Sequence, residues 1–257
     1  MTNKYFHPTR FFTFLIIFAL MSFSFLPPKK LTIWLIGDST MSIKEKKAYP
    51  ETGWGMPFAN FWDSSVTIDN RAKNGRSSKS FMAENLWQPV VDNLKEGDYV
   101  FIQFGHNDES VNKAERYSTP EQFKDNLIKY ITESRSKKAI PVLITPVSRL
   151  KFEGNTAAET HPVYAQIVRD VAKENNVTLI DLDEKSKSLL QQLGPDKAPL
   201  LFNHLLPGEH PNYPEGKDDN THFNELGARK MAELVLAEIR TAIPELAQKI
   251  VIGKIKK

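Results

Sequence analysis

The sequence predicts an α/β fold: a flavodoxin-like parallel sheet of five strands within a three-layer α/β/α sandwich. Three observations predict it. Short apolar runs of strand character alternate with longer amphipathic segments of helical length along the chain. A chain of 257 residues with 40% hydrophobic and 25% charged residues can bury one full core and lacks the bias of a disordered or fibrous protein. No internal repeat or low-complexity linker divides it. Strict β-α alternation argues for parallel strands with helices on both faces, and right-handed crossovers leave few topologies open.

The first segment stands apart from this pattern. Lys4 and Arg10 precede an apolar stretch from Phe11 to Leu26, about 16 residues, with Ser22 and Ser24 as small residues ahead of a cut. This reads as a signal peptide over 1–24, with an end near 30 as the alternative, and it predicts an exported chain, periplasmic or extracellular. An uncleaved anchor needs roughly 20 apolar residues to span a bilayer comfortably, so cleavage and no stable membrane partner are expected. Residues 1–24 hold two of the 34 basic residues and none of the 31 acidic ones, so the remainder carries a net charge of +1. Such a balance, with lysines scattered except in the tail from Lys254 to Lys257, gives no basic face for a nucleic acid. With no cysteine, the chain has no disulfide, no thiol nucleophile and no lipidated cysteine anchor.

Within the domain expected over 31–241, the strand candidates are Leu31 to Ile36, Val66 to Ile68, Tyr99 to Phe104, Ile140 to Ile144 and Val177 to Leu182. The helical candidates are Ser80 to Asn93, Pro120 to Ser136, Thr160 to Asn175 and Asn224 to Arg240, with Tyr49 to Phe61 a weaker one. Residues 203–216 are rich in Pro and Gly, read as a loop, and are expected to rim the site. Residues 242–257 are set aside as a C-terminal tail.

Candidate chemistry begins at the carboxyl end of the first strand, where the apolar run meets Gly37-Asp38-Ser39-Thr40. Ligands of open α/β sheets bind at the carboxyl ends of strands, so the Ser39 hydroxyl is presented where a substrate arrives. Serine needs a base to take its proton and a third group to orient that base. Asp219-Asn-Thr-His222 offers both, because a spacing of three brings carboxylate and imidazole to one side of a tight turn or first helical turn. Such a pair alone often only caps a helix, and Asp218 adjoins the chosen carboxylate. Two further loops can hold oxyanion donors: Asn74-Gly75-Arg76-Ser77-Ser78 after the second strand, where glycine allows close backbone approach, and Phe104-Gly105-His106-Asn107-Asp108 after the third. Each loop by itself reads equally well as a turn or a helix entry.

In combination these blocks resemble the SGNH, or GDSL-like, hydrolases, over roughly residues 31 to 241. The resemblance implies Ser39 as nucleophile, His222 as base oriented by Asp219, and an oxyanion hole formed by the N–H groups of Ser39 and Gly75 with the Asn107 side chain. More narrowly, Gly-Asp-Ser-Thr, the run from Asn70 to Ser77, Phe-Gly-His-Asn-Asp and Asp-x-Thr-His-Phe-x-x-x-Gly-Ala are similar to the rhamnogalacturonan acetylesterases of carbohydrate esterase family 12. That resemblance implies a serine esterase that hydrolyses O-acetyl esters on pectic polysaccharide through an acyl-enzyme. Fungal members carry disulfides that this chain cannot form, which fits a bacterial-type relative.

For the substrate, Arg76 beside the oxyanion glycine suits a galacturonate carboxylate, and His106 and Tyr213 are further candidate contacts. Acetylated xylan, or the substrate of another GDSL-like esterase or lipase, is the alternative within the same chemistry, and a non-catalytic carbohydrate-binding protein is the alternative outside it. No metal or cofactor is expected: the spacing of His204 and His210 matches no common ligand pattern, and neither a phosphate-binding glycine loop nor a dinucleotide fingerprint occurs.

Overall fold

In the computed structural model, which describes residues 30–251, the central strands are β1 (Leu31–Gly37), β2 (Val66–Asn70), β3 (Tyr99–Gln103), β4 (Ile140–Ile144) and β5 (Thr178–Ile180). They pair in parallel in the order β2-β1-β3-β4-β5, the expected flavodoxin-like arrangement. The expected signal segment lies outside the described residues. Among those residues, no helix is long and apolar enough to cross a membrane.

Alternation along β1 explains the layers. Ile33 and Leu35 face one core, and Trp34 and Ile36 face the other, because successive side chains point to opposite sides of a strand. The first core is closed by α5 (Leu182–Lys197) and α6 (Glu225–Ala242), which contribute Leu190, Met231, Val235 and Ile239. The second is closed by α1 (Ser78–Ala83), α2 (Gln88–Asn93), α3 (Pro120–Ser136) and α4 (Pro162–Glu174), which contribute Phe81, Val90, Tyr130 and Val168. Local rules set the helix starts. Ser77 and Ser80 form a reciprocal capping box on α1, Thr119 and Gln122 form another on α3, and Asn224 caps α6 by accepting from Gly227 N–H.

Several elements depart from the sequence reading. The helix expected over Ser80 to Asn93 is two, α1 and α2, broken where Asn85 takes a left-handed φ of 57°. The weak candidate Tyr49 to Phe61 reduces to the short helix Gly55–Phe58 and a 3-10 turn, Ala59–Phe61. The last strand stops at Ile180, because the Asp181 side chain accepts from Glu184 N–H and starts α5, a helix the apolar pattern did not announce; a kink follows at Gly194, where φ is 71°. A two-stranded antiparallel hairpin, β6 (Phe202–Leu205) and β7 (Lys217–Phe223), frames the loop over 206–216. The boundary set after residue 241 also cuts through one core: Ile243, Leu246 and Ile250 are buried in it, and Val251 N–H donates to Phe61 O at 2.8 Å.

Candidate active site

All five central strands run in one direction, so the loops after β1, β2, β3 and β4 leave from one edge of the sheet. Glycine lets the first loop leave tightly: a Cβ on Gly37 would stand 2.6 Å from the Gln103 carbonyl of the neighbouring strand. Two residues on, Ser39 Oγ lies 2.8 Å from His222 Nε2 across 183 residues of sequence. His222 Nδ1 lies 2.9 Å from Asp219 Oδ2. The Asp219–His222 pair therefore meets Ser39, from a tight turn within β7, the first of the two geometries expected, and not from a helical turn. Asp219 Oδ1 accepts the backbone N–H groups of Thr221 and His222, each at 2.9 Å, an Asx turn that bulges β7 where its register on β6 shifts and brings carboxylate and ring together. Burial alone would raise the Asp219 carboxyl, but the His222 ring and these two backbone donors hold it well below the usual carboxylate range. Asp218, the adjacent alternative, is exposed and sits near His204 instead.

The other loops close around this line through long side chains. Ser42 Oγ donates to Ser39 O at 3.3 Å and to Asn74 Oδ1 at 2.6 Å, joining the loop after β1 to the loop after β2. Lys44 Nζ donates to the same Asn74 oxygen at 2.8 Å and pairs with Glu51 Oε1 at 2.7 Å, although its side chain is only 2% exposed. Burial pulls the Lys44 ammonium below its ordinary range, and the Glu51 carboxylate opposes that shift. Gly75 takes the left-handed φ of +74°, which puts glycine at the turn.

Across the next gap, Asn107 Nδ2 donates to Arg76 O at 3.0 Å. Arg116 Nη1 donates to Asn107 Oδ1 at 2.9 Å and to Gly75 O at 3.4 Å. From the loop after β4, Arg149 Nη1 donates to Thr221 Oγ1 at 2.6 Å and Nη2 to His106 O at 3.4 Å, which ties the Asn107 loop to the His222 strand. Below this ring of contacts, the buried Asp108 accepts from Ser78 N–H, Ser78 Oγ, Ser118 Oγ and Gly105 N–H. Burial pushes its carboxyl up to about 6 against these hydrogen bonds.

The candidate substrate contacts are placed differently. Arg76 directs Nε and Nη2 to Glu84 Oε2 at 2.9 and 2.6 Å, so its charge is already partnered on the surface. Tyr213 donates its hydroxyl to Ala48 O at 2.8 Å, which anchors the 206–216 loop. His106 is buried against His161, with ring centroids 4.2 Å apart, and burial holds it neutral far below its ordinary titration range. Two open clefts adjoin the site without being lined by Ser39: one of about 640 Å³ beside Tyr49, Thr52, Asn212 and Glu225, and one of about 760 Å³ beside Lys73, Asn74 and Arg76. Lys44 lines both. Among the described residues, no group of three or more His, Asp or Glu is arranged to hold a metal ion.

The arrangement can do nucleophilic chemistry: a hydroxyl hydrogen-bonded to an imidazole, and that imidazole held by a carboxylate, at the mouth of loops rich in hydrogen-bond donors. Residues 35–230 match the GDSL-like Lipase/Acylhydrolase family. The chain is 40% identical over 208 residues to the rhamnogalacturonan acetylesterase RhgT of Bacillus subtilis, covering 80% of this chain and 88% of that protein. It is 38% identical over 209 residues to the probable rhamnogalacturonan acetylesterase YesY of the same organism, covering 81% and 92%. Among solved structures, YxiM of Bacillus subtilis superposes with a TM-score of 0.70 at 25% identity, covering 83% of this chain and 57% of that one. An acetylxylan esterase of Geobacillus stearothermophilus superposes at 0.57 with 15% identity, covering 83% and 95%, a likeness of fold alone.

Proposed function

Because this chain belongs to the GDSL-like lipase/acylhydrolase family and is an SGNH carboxylic ester hydrolase of the acetylesterase kind, we propose that it removes O-acetyl groups from rhamnogalacturonan outside the cytoplasm. The observation that carries the mechanism is the continuous line Ser39–His222–Asp219. The pectic substrate is supported by the extent of the likeness to the two acetylesterases of Bacillus subtilis, and export by the basic start and apolar stretch of residues 4–26.

Ser39 Oγ attacks the acetyl carbonyl carbon as His222 Nε2 takes the hydroxyl proton, and Asp219 stabilises the resulting imidazolium. The carbonyl oxygen becomes an oxyanion held by the N–H groups of Ser39 and Gly75 and by Asn107 Nδ2. Collapse of this intermediate breaks the ester C–O bond, and the sugar oxygen leaves with the proton from His222. Water, deprotonated by the same imidazole, then attacks the acetyl-Ser39 ester and releases acetate. Binding of an acidic sugar requires Arg76 to exchange its exposed partner Glu84 for a galacturonate carboxylate, a modest rearrangement because such surface pairs contribute little.

The test is acetate released from acetylated rhamnogalacturonan, with acetylated homogalacturonan and xylan in parallel and Ser39→Ala as the blank. Preferential release from rhamnogalacturonan is expected. Preferential release from xylan would overturn the pectic reading and leave the serine mechanism standing, and full activity in Ser39→Ala would overturn the mechanism.

A further inference from the structure

We infer that Arg116 is a positioning residue for the oxyanion hole, fixing which end of the Asn107 amide faces the reacting carbonyl. The inference rests on the catalytic reading above and adds a residue to it. A side-chain amide has nearly the same outline when its oxygen and nitrogen are exchanged, so something must decide whether a donor or an acceptor points at the oxyanion. In this site two neighbours decide it. Arg116 Nη1 meets the Asn107 oxygen at 2.9 Å, and the Arg76 carbonyl accepts from the Asn107 nitrogen at 3.0 Å. A flipped amide would set its N–H₂ against a guanidinium and its oxygen against a carbonyl, two repulsive contacts in place of two hydrogen bonds.

In the observed orientation one Nδ2 hydrogen serves Arg76 O and the second stays available to the oxyanion. The same guanidinium nitrogen reaches Gly75 O at 3.4 Å, so one cation touches both loops that carry the proposed donors. Guanidinium on the amide oxygen also polarises the amide and makes its N–H groups better donors. The Arg116 side chain is 23% exposed, so solvent screens it only partly, and its ion-pair partner Glu115 is 70% exposed and 3.4 Å away.

A role confined to holding the loop would affect folding or substrate affinity whatever stands at position 107; a role through Asn107 cannot. The experiment is a double-mutant cycle with 4-nitrophenyl acetate, measuring kcat and KM for Arg116→Met in the parent chain and in Asn107→Ala, with thermal melts of each. The expected result is a kcat fall of tenfold or more with KM within twofold in the parent chain, and less than a twofold further fall in the Asn107→Ala background. Arg116→Lys, which keeps a donor for the amide oxygen, should recover part of kcat, and it carries the test if Arg116→Met folds poorly. An unchanged kcat, or an equal fall in both backgrounds, overturns the inference. Ser39→Ala assayed alongside keeps the two levels apart: if it stays active the catalytic reading itself fails, whereas an inactive Ser39→Ala with an unaffected Arg116→Met removes only the role of Arg116.

Discussion

Asp219 holds His222 twice, taking the imidazole Nδ1 on one carboxylate oxygen and the backbone N–H of the same residue on the other, each at 2.9 Å. One side chain thus sets both the direction of the ring and the backbone turn from which it projects. Asp219→Asn keeps the shape but can present an N–H₂ group to Nδ1 and favour the unproductive tautomer. The expected outcome is a fall in kcat of about 10²–10⁴ with little change in KM, read from steady-state kinetics on an aryl acetate. An effect confined to KM would count against an orienting role.

Asn107→Ala removes one proposed donor while Arg76 O and Arg116 remain. Turnover should drop by about 10²–10³ with substrate affinity nearly preserved, because the lost interaction is made fully only as the oxyanion forms. Parallel losses of turnover and stability, followed by melting, would point instead to a structural residue.

Lys44 and Glu51 form an ion pair whose side chains are 2% and 13% exposed, and Lys44 also holds Asn74. Lys44→Met should cost about 3 kcal/mol by stranding the Glu51 carboxylate, a drop in Tm of roughly 6–12 °C. The double variant Lys44→Met/Glu51→Leu should recover a good part of that loss. A single variant as stable as the parent would show that the pair contributes nothing.

Asp108 titrates at about 6 in the folded chain and near the ordinary carboxylate value of about 4 once unfolded. Between those values the native state binds more protons, so the Asp108 contribution to stability declines as pH rises from about 4 to 6. Asp219 runs the other way: its stabilisation is complete above about pH 4 and is lost as pH falls below that. A carboxyl ¹³C titration should place the Asp108 midpoint within about one unit of 6, and a midpoint below 4.5 would refute the assignment.

The parts of the site that could be read from sequence are those encoded in a few consecutive residues. Gly37-Asp38-Ser39, Asn74-Gly75 and Gly105-His106-Asn107 each occupy one turn after a central strand, Asp219 to His222 occupy one turn within β7, and hydrogen bonds tie these segments together. Arg116, Lys44 and Arg149 left no such trace. Each is one long side chain in a polar segment: Lys44 and Arg149 act on Asn74 and Thr221, 30 and 72 positions away, and Arg116 joins Asn107, nine positions away, to Gly75, 41 positions away. The same logic governs the fold: β1, β3 and β4 show as apolar runs because the centre of the sheet is buried on both faces, whereas β7, Lys-Asp-Asp-Asn-Thr-His-Phe, is polar and shows no strand pattern. Arg76 illustrates a different limit, since its neighbourhood with Gly75 was legible but the competing carboxylate of Glu84 was not.

The contact between Val251 and Phe61, beside the bridge from Ile250 to Trp62, has a practical consequence for anyone handling a trimmed form of this protein. A fragment ending at 241 would bare the apolar surface that Ile243, Leu246 and Ile250 now cover. Such a surface invites self-association, so poor solubility in a shortened preparation would report on the missing last turn and not on the catalytic machinery some distance along the chain.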